Sequence, residues 1–396
     1  MTTAASHPVS PARKPAVETA PPGPVARLNG EVVYLYAFDV AYEMNRLPVR
    51  HLLGQSVAQF VVDASKRSPR QLFFYRPQMV RLPPLERLGP SGPVRLELTV
   101  KILPVGAISI TVRIPFSVNS LSELVSFHDL RFNDGSFLYD EVRALAEDVQ
   151  RELKPYLIRP HEKLGDEEAY TVFCINGPLR TSDGVDVPAE GWLHANRRDV
   201  AALLTEEGDP ARLSDQEAEE STGKYFSYYE RDLVVMDWDA AVIVDEPRYF
   251  DEVLYIMELA NLQLAELEAY DRILDRAVDR SYRDLGGGSR FRGATNQSVQ
   301  RELREIRVDL ARLSDELSNI TKFFGDWHLA RIYKGLADRF HLADWHRTID
   351  EKLKTLDDLY QILRADQTSR MMLILEFTIV LLFVIDLIVL FVGLWK

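Results

Sequence analysis

The sequence predicts an α+β cytosolic head, then a long α-helical coiled-coil hairpin, then one C-terminal transmembrane helix. Three observations predict this. Short, strand-length runs rich in Val, Ile and aromatic residues recur through roughly the first 250 residues. Apolar residues then recur at alternating steps of four and three from Val299. Finally, an unbroken apolar stretch runs from Met371 to Trp395. Apolar content of 46% with 10% aromatics is ample for packed cores, and 396 residues exceed what one core usually serves. The formal charge of −13, from 60 acidic against 47 basic side chains, argues against a nucleic-acid partner, which needs a clustered basic face to neutralise phosphates. A lone cysteine, Cys174, excludes an internal disulfide, and the N-terminus lacks the charged start and apolar stretch of a secretory signal.

Residues 1–27 carry six prolines among Ala, Ser and Thr and are expected to be a disordered leader. The unit at 28–160 is expected to be α+β. Its strands are EVVYLYAF from Glu31, QLFFY from Gln71, VRLELTVKIL from Val94 and AISITVRIPF from Ala107, the last two forming a hairpin about Pro104–Gly106. Helices are expected over 120–127 and over 136–153, the second with Leu138, Val142, Leu145 and Val149 on one face. A second small α+β unit, 161–248, opens with EAYTVFCI at Glu168 and continues through a helix near Arg197–Leu204. It crosses a polar stretch, 206–220, expected as a loop, and ends in two apolar runs separated by Asp237-Trp238-Asp239.

The segment 249–370 is expected to form the helical coiled-coil stalk. Gly286, Gly287 and Gly288 suit a reversal between antiparallel helices. The seam residues Val299, Leu303, Ile306, Leu310, Leu313, Leu317 and Ile320 span three heptads. They are expected to pack against Ile256, Leu259, Leu267 and Ile273, or alternatively between chains. A second stripe, Ile349, Leu353, Leu356, Tyr360 and Leu363, leads into the span at 371–395 with no Pro or Gly between, so the last helix is expected to enter the bilayer unbroken. Arg364 and Arg370 favour an N-in orientation. Within the span, Asp386 lies deep enough for an ionised carboxylate to cost about 2.5–3.5 kcal/mol. It is expected to hydrogen-bond another protomer or a partner span, or to line an ion path, unless it stays protonated against lipid. Glu376 is nearer the interface and able to reach water.

Chemistry-bearing residues are few. Asp326-Trp327-His328 and Asp344-Trp345-His346, with His341, gather metal-capable side chains, yet the region reads as a bend between helices and no metal is expected. Cys174 sits inside an apolar strand as a buried thiol. Asp232, Asp237, Asp239 and Asp245 fall at strand ends and a turn, where turn-forming roles are expected. GGGSRFRG from Gly286 lacks the Gly-Lys-Ser/Thr ending of a phosphate loop, and no hydrolase, zincin or dinucleotide fingerprint occurs. No catalytic residue and no cofactor is therefore expected.

ERDLVVMDWDAAVIVDE, then YFDEVLYIMELANLQL, then the coiled-coil hairpin and FFGDWHLARIYKGLADRFHLADWHRTIDEKLKTLDDLYQILRAD, closing on LEFTIVLLFVIDLIVL, resembles the required-for-meiotic-nuclear-division family over about residues 168–396. That resemblance implies a non-enzymatic, C-terminally anchored membrane scaffold or tether. Its partners would be the lipid bilayer and either a second copy of the chain or another membrane protein. Eukaryotic members are mitochondrial, but this chain has no Arg-rich amphipathic leader, so a bacterial inner membrane with most of the chain cytoplasmic is expected. The competing classes are a CorA-like ion transport component, which would need two spans and a Gly-Met-Asn signature, and a membrane-bound regulatory protein whose head senses a ligand.

Overall fold

A computed structural model of the chain describes residues 27–45, 47–60, 77–89, 92–286, 304, 307–308 and 327–393. Residues 1–26 of the expected leader, the QLFFY strand and every seam residue from Val299 to Ile320 lie outside the described residues.

In chain order the strands are β1 (Leu28–Asp39), β2 (Ala41–Met44), β3 (His51–Leu52), β4 (Gln55–Ser56), β5 (Ala58–Gln59), β6 (Gln78–Arg81) and β7 (Leu85–Gly89). They continue with β8 (Gly92–Ile102), β9 (Ala107–Val118), β10 (Leu157–Pro160), β11 (Glu168–Asn176), β12 (Tyr225–Phe226), β13 (Leu233–Met236) and β14 (Ala240–Asp245). The helices are α1 (Leu138–Leu153), α2 (Ala189–Ala195), α3 (Arg197–Leu204), α4 (Asp215–Thr222), α5 (Pro247–Gly286), α6 (Trp327–Arg339) and α7 (Leu342–Gly393).

One ten-stranded sheet in the order β12-β13-β14-β11-β1-β9-β8-β6-β5, with β7 also on β8, organises the head. Only β11–β14 is parallel among its pairings. β1 is the central strand, bonded to β9 from Leu28↔Val118 to Asp39↔Ala107 and to β11 from Gly30↔Ile175 to Ala37↔Glu168. It thereby joins the two units expected at 28–160 and 161–248 into a single sheet. Its apolar run follows from burial on both faces. Val32, Tyr34, Tyr36 and Phe38 meet α1 and α3 on one side. Val33 and Leu35 meet α5, α6 and α7 on the other.

The β8–β9 hairpin forms where expected. Gly106 closes it at φ +89°, with Ala41 O only 2.1 Å from where a Cβ would stand, so no other residue fits without moving β2. The stretch 120–127 is helical, as a 3-10 turn at Leu121–Phe127, and α1 buries Leu138, Val142, Ala146, Val149 and Leu153. The loop expected over 206–220 needs correction, because α4 starts at Asp215. The Ser214 hydroxyl accepts the Glu217 N–H at 3.0 Å, and acidic residues in the first turn suit the positive helix end.

The described residues of the C-terminal part are helical. α5 crosses the second sheet face over 40 residues, about 60 Å. α6 and α7 meet at a bend where His341 adopts φ +50°. α7 then continues for 52 residues without interruption into the apolar stretch, as its sequence led one to expect. Ile349, Leu353 and Leu356 are buried, and Lys352 Nζ reaches Asp271 at 2.7 Å and Asp275 at 2.5 Å, fastening α7 to α5.

Candidate functional site

On its α5-side face the sheet changes character at β9. β1, β11 and β14 present Val33, Leu35, Val172, Cys174 and Ile243 to the helices, whereas β6, β8 and β9 present mainly polar side chains. Register sets them in rows. Arg81 faces Thr99, Thr99 faces Thr111, and Thr111 faces Leu35. Met79, Lys101 and Ser109 form the next row, and Glu97 with Arg113 the one before. Above these rows lies a cavity of about 450 Å³, walled by Asp251, Leu254, Tyr255 and Glu258 of α5 and by Phe60, Leu82 and Pro84. That volume falls in the range of small-molecule sites.

Most charges in this cavity are already matched. Lys101 and Glu258, with side chains only 10% and 7% exposed, form an ion pair. The other Glu258 oxygen accepts the Ser109 hydroxyl at 2.5 Å, and Lys101 Nζ lies 4.3 Å from the centre of the Phe60 ring. Arg113 bonds Glu31 at 3.1 Å and also Asp251, and Arg95 lies 3.3 Å from Glu97. Burial pushes the Glu31 carboxyl up, against the pull of Arg113. Two groups stand apart. Arg81 has no carboxylate partner among the described residues. The Thr111 hydroxyl, in a residue only 6% exposed, has no hydrogen-bond partner among them either. A buried hydroxyl without a partner costs roughly 1–3 kcal/mol.

A second charged region lines a cavity of about 710 Å³ between residues 161–166 and α5. His161 Nε2 lies 2.9 Å from Asp39, whose hydrogen bond raises the imidazole above its ordinary value. Burial, and then the neighbouring Glu268 carboxylate, push Glu168 up to about 8. Arg272 approaches Glu268 at 3.4 Å. Sequence reasoning singled out neither region. The available signal was polar residues at alternate positions of β8 and β9, together with Glu258, Asn261 and Gln263 inside the mainly apolar stretch 253–265 of α5.

The residues that sequence did single out are dispersed. Glu376 and Asp386 are exposed on α7, within a stretch whose apolar side chains are also exposed. Trp327 is 74% exposed while His328 is buried, edge-on to Tyr228 with ring centres 5.6 Å apart. His341 and Asp344 lie 3.3 Å apart at the bend. Among the described residues no three His, Cys, Asp or Glu side chains come together as a metal site. Asp232 closes a turn, accepting the Tyr228 and Tyr229 N–H groups at 2.6 and 3.1 Å. Asp237 accepts the Trp238 N–H at 2.9 Å and lies 3.5 Å from Arg339, and burial raises Asp239. Asp245 accepts the Glu246 N–H at 2.7 Å, and the Cys174 thiol, fully buried, is pushed up by that burial.

Residues 29–251, the sheet and its connections up to the start of α5, match the sequence model of a family described as "Uncharacterized protein MJ0711, N-terminal domain". Uncharacterized protein MJ0711 of Methanocaldococcus jannaschii is 24% identical over 221 residues, an overlap of 56% of this chain and 65% of that relative, just under two thirds of its length. No solved structure matches the chain. The chain belongs, through more than half of its length, to the family of the MJ0711 N-terminal domain.

Proposed function

We propose that this protein is a non-enzymatic scaffold or tether, self-associating and anchored in the inner membrane by α7. The observation that carries the reading is the contrast along that one helix. Ile349, Leu353 and Leu356 are buried in the head, while every side chain from Met371 to Ile388 is exposed at a mean hydropathy of 2.6. Eighteen residues rise about 27 Å, close to the thickness of a hydrocarbon core. A soluble protein rarely leaves so large an apolar surface in water. The resemblance of the sequence to the required-for-meiotic-nuclear-division family supports the same reading, and Asp386 and Glu376 would supply polar contacts to a second span. The test is alkaline carbonate extraction of the expressed protein, followed by light scattering of the detergent-purified form. Full-length chain is expected in the membrane pellet and as an oligomer. A chain ending after Arg364 is expected in the supernatant, and Asp386→Leu is expected to lower the oligomeric mass. Extraction of the full-length protein by carbonate would refute anchoring; equal mass for wild type and Asp386→Leu would refute the polar contact.

A second reading, a head that senses a small ligand, is favoured by the β6–β8–β9 cavity and its Thr111 hydroxyl, which has no hydrogen-bond partner among the described residues.

A further inference from the structure

We propose that the cavity between α5 and strands β6, β8 and β9 binds a small organic molecule bearing a single carboxylate on an apolar body. This rests on the ligand-sensing reading only in its biological sense; the site itself stands on its geometry.

The polar lining of the cavity selects the head group. Four cations line it, Arg81, Arg95, Lys101 and Arg113, against three carboxylates, Glu97, Asp251 and Glu258. Lys101 is taken by Glu258, Arg113 by Asp251 and Glu31, and Arg95 by Glu97. What remains among the described residues is one guanidinium, Arg81, opposite Thr99 and two positions from the buried Thr111 hydroxyl, which has no hydrogen-bond partner among them, in the same row of the sheet. One positive charge and hydroxyl donors suit one carboxylate, which accepts from both. A phosphate monoester would bring about two negative charges toward Asp251 and Glu97 with only one free cation among the described residues to meet them. An ammonium group would meet Arg81 and leave Thr111 to act only as an acceptor. The apolar lining selects the body, because Leu35, Met79, Leu254, Phe60 and Tyr255, interleaved with the polar residues, give the same cavity apolar and aromatic walls.

The probe is hexanoate, with hexylamine and hexyl phosphate as head-group controls. Each is followed by saturation-transfer NMR on the full-length protein in lipid nanodiscs, with empty nanodiscs subtracted. Hexanoate is expected to bind saturably, hexyl phosphate more weakly and hexylamine not at all. Arg81→Ala, at an exposed position, is expected to weaken hexanoate about 10- to 100-fold, the usual loss for a charged hydrogen bond. Thr111→Val is the second variant, and its signature is two-sided. Replacing an unpartnered buried hydroxyl by an isosteric methyl should raise the melting temperature of the empty protein while weakening hexanoate about fivefold or more. A Thr111→Val protein that melts lower when empty would mean that the hydroxyl is satisfied without a ligand, and would overturn the assignment. So would a hexanoate signal that is absent, unchanged in Arg81→Ala, or matched by hexylamine. Tighter binding of hexyl phosphate would overturn the carboxylate class. Saturable, Arg81-dependent binding that alters neither oligomeric mass nor proteolytic pattern would keep the site and sink the sensing reading.

Discussion

Removing one member of the Lys101–Glu258 pair should cost far more than removing both. Lys101→Met leaves a carboxylate that is 7% exposed with only the Ser109 hydroxyl to stabilise it, and an uncompensated buried charge costs about 3–5 kcal/mol. In a head of this size each kcal/mol is worth about 2–4 °C of melting temperature, so Lys101→Met should melt roughly 6–20 °C lower than wild type. The double variant Lys101→Met with Glu258→Leu has no buried charge there, and replacing such a pair by apolar groups is commonly neutral or stabilising. It should recover most of the loss, giving a coupling energy of about 3 kcal/mol or more. The assay is intrinsic-fluorescence melting of the four proteins of the cycle in detergent, with near-ultraviolet circular dichroism as a check on packing. A fall of less than about 4 °C for Lys101→Met, or a double variant no more stable than either single one, would mean that water entering the cavity solvates the pair, and the burial argument would fail.

Three further outcomes follow from the same geometry. The Asp39 hydrogen bond raises the His161 pKa above its unfolded value, so its stabilisation is complete below about pH 6.5 and is lost as pH rises through the folded value. His161→Gln should flatten that part of the stability–pH curve, and an unchanged curve would show that the bond does not couple to folding. Glu168, pushed up to about 8 by burial and by Glu268, has the opposite consequence for an acid: the folded state is penalised increasingly as pH rises from about 4.5, its ordinary value, to about 8. Glu168→Gln should therefore raise the melting temperature at pH 8 and leave it nearly unchanged at pH 5; equal effects at both would contradict the shift. A Cβ at Gly335 would stand 2.5 Å from the Phe226 ring and 2.9 Å from the Met236 methyl. Overpacking of α6 on β12 and β13 should outweigh the helix propensity gained by Gly335→Ala and cost about 1–2 kcal/mol, read by thermal melting.

What could be read in the sequence was local. The β8–β9 hairpin is adjacent in the chain and closed by a glycine, and the last helix contains nothing that would break it before Gly393. What could not be read was pairing across distance. β1 meets β11 some 140 residues later, and no local signal marks that partner, so a single sheet read as two units. The doubly buried character of β1 was visible in EVVYLYAF, whose lack of alternation implies cover on both faces. The cavity stayed hidden for a related reason. Alternating polar residues such as Arg95, Glu97, Thr99 and Lys101 are what a strand with one solvated face displays, and only the placement of α5 turns that face into a wall. α4 was missed because its acidic composition resembled a loop, although Ser214 ahead of Asp215 and Glu217 was a start signal in plain sight.

The position of α5 is itself over-determined by polar groups, and this explains how one helix can serve the cavity, the sheet and α7 together. Its apolar stripe, Leu254, Met257, Ala260, Leu264 and Leu267, packs on a smooth sheet face and would by itself tolerate sliding by a turn. Its buried polar residues do not tolerate it. Glu258 is held by Lys101 and Ser109. Asn261 Nδ2 donates to Leu35 O at 3.3 Å and Glu168 O at 3.0 Å, on two adjacent strands, and Gln263 Oε1 accepts the Tyr333 hydroxyl of α6 at 2.5 Å. A one-turn shift, about 5.4 Å, would break all three sets at once and leave each group buried without a partner. These contacts add little net stability, since each exchanges water for protein, but they admit a single register. That register places Asp251 and Glu258 at the cavity and, further along the same helix, Asp271 and Asp275 where Lys352 of α7 can reach them.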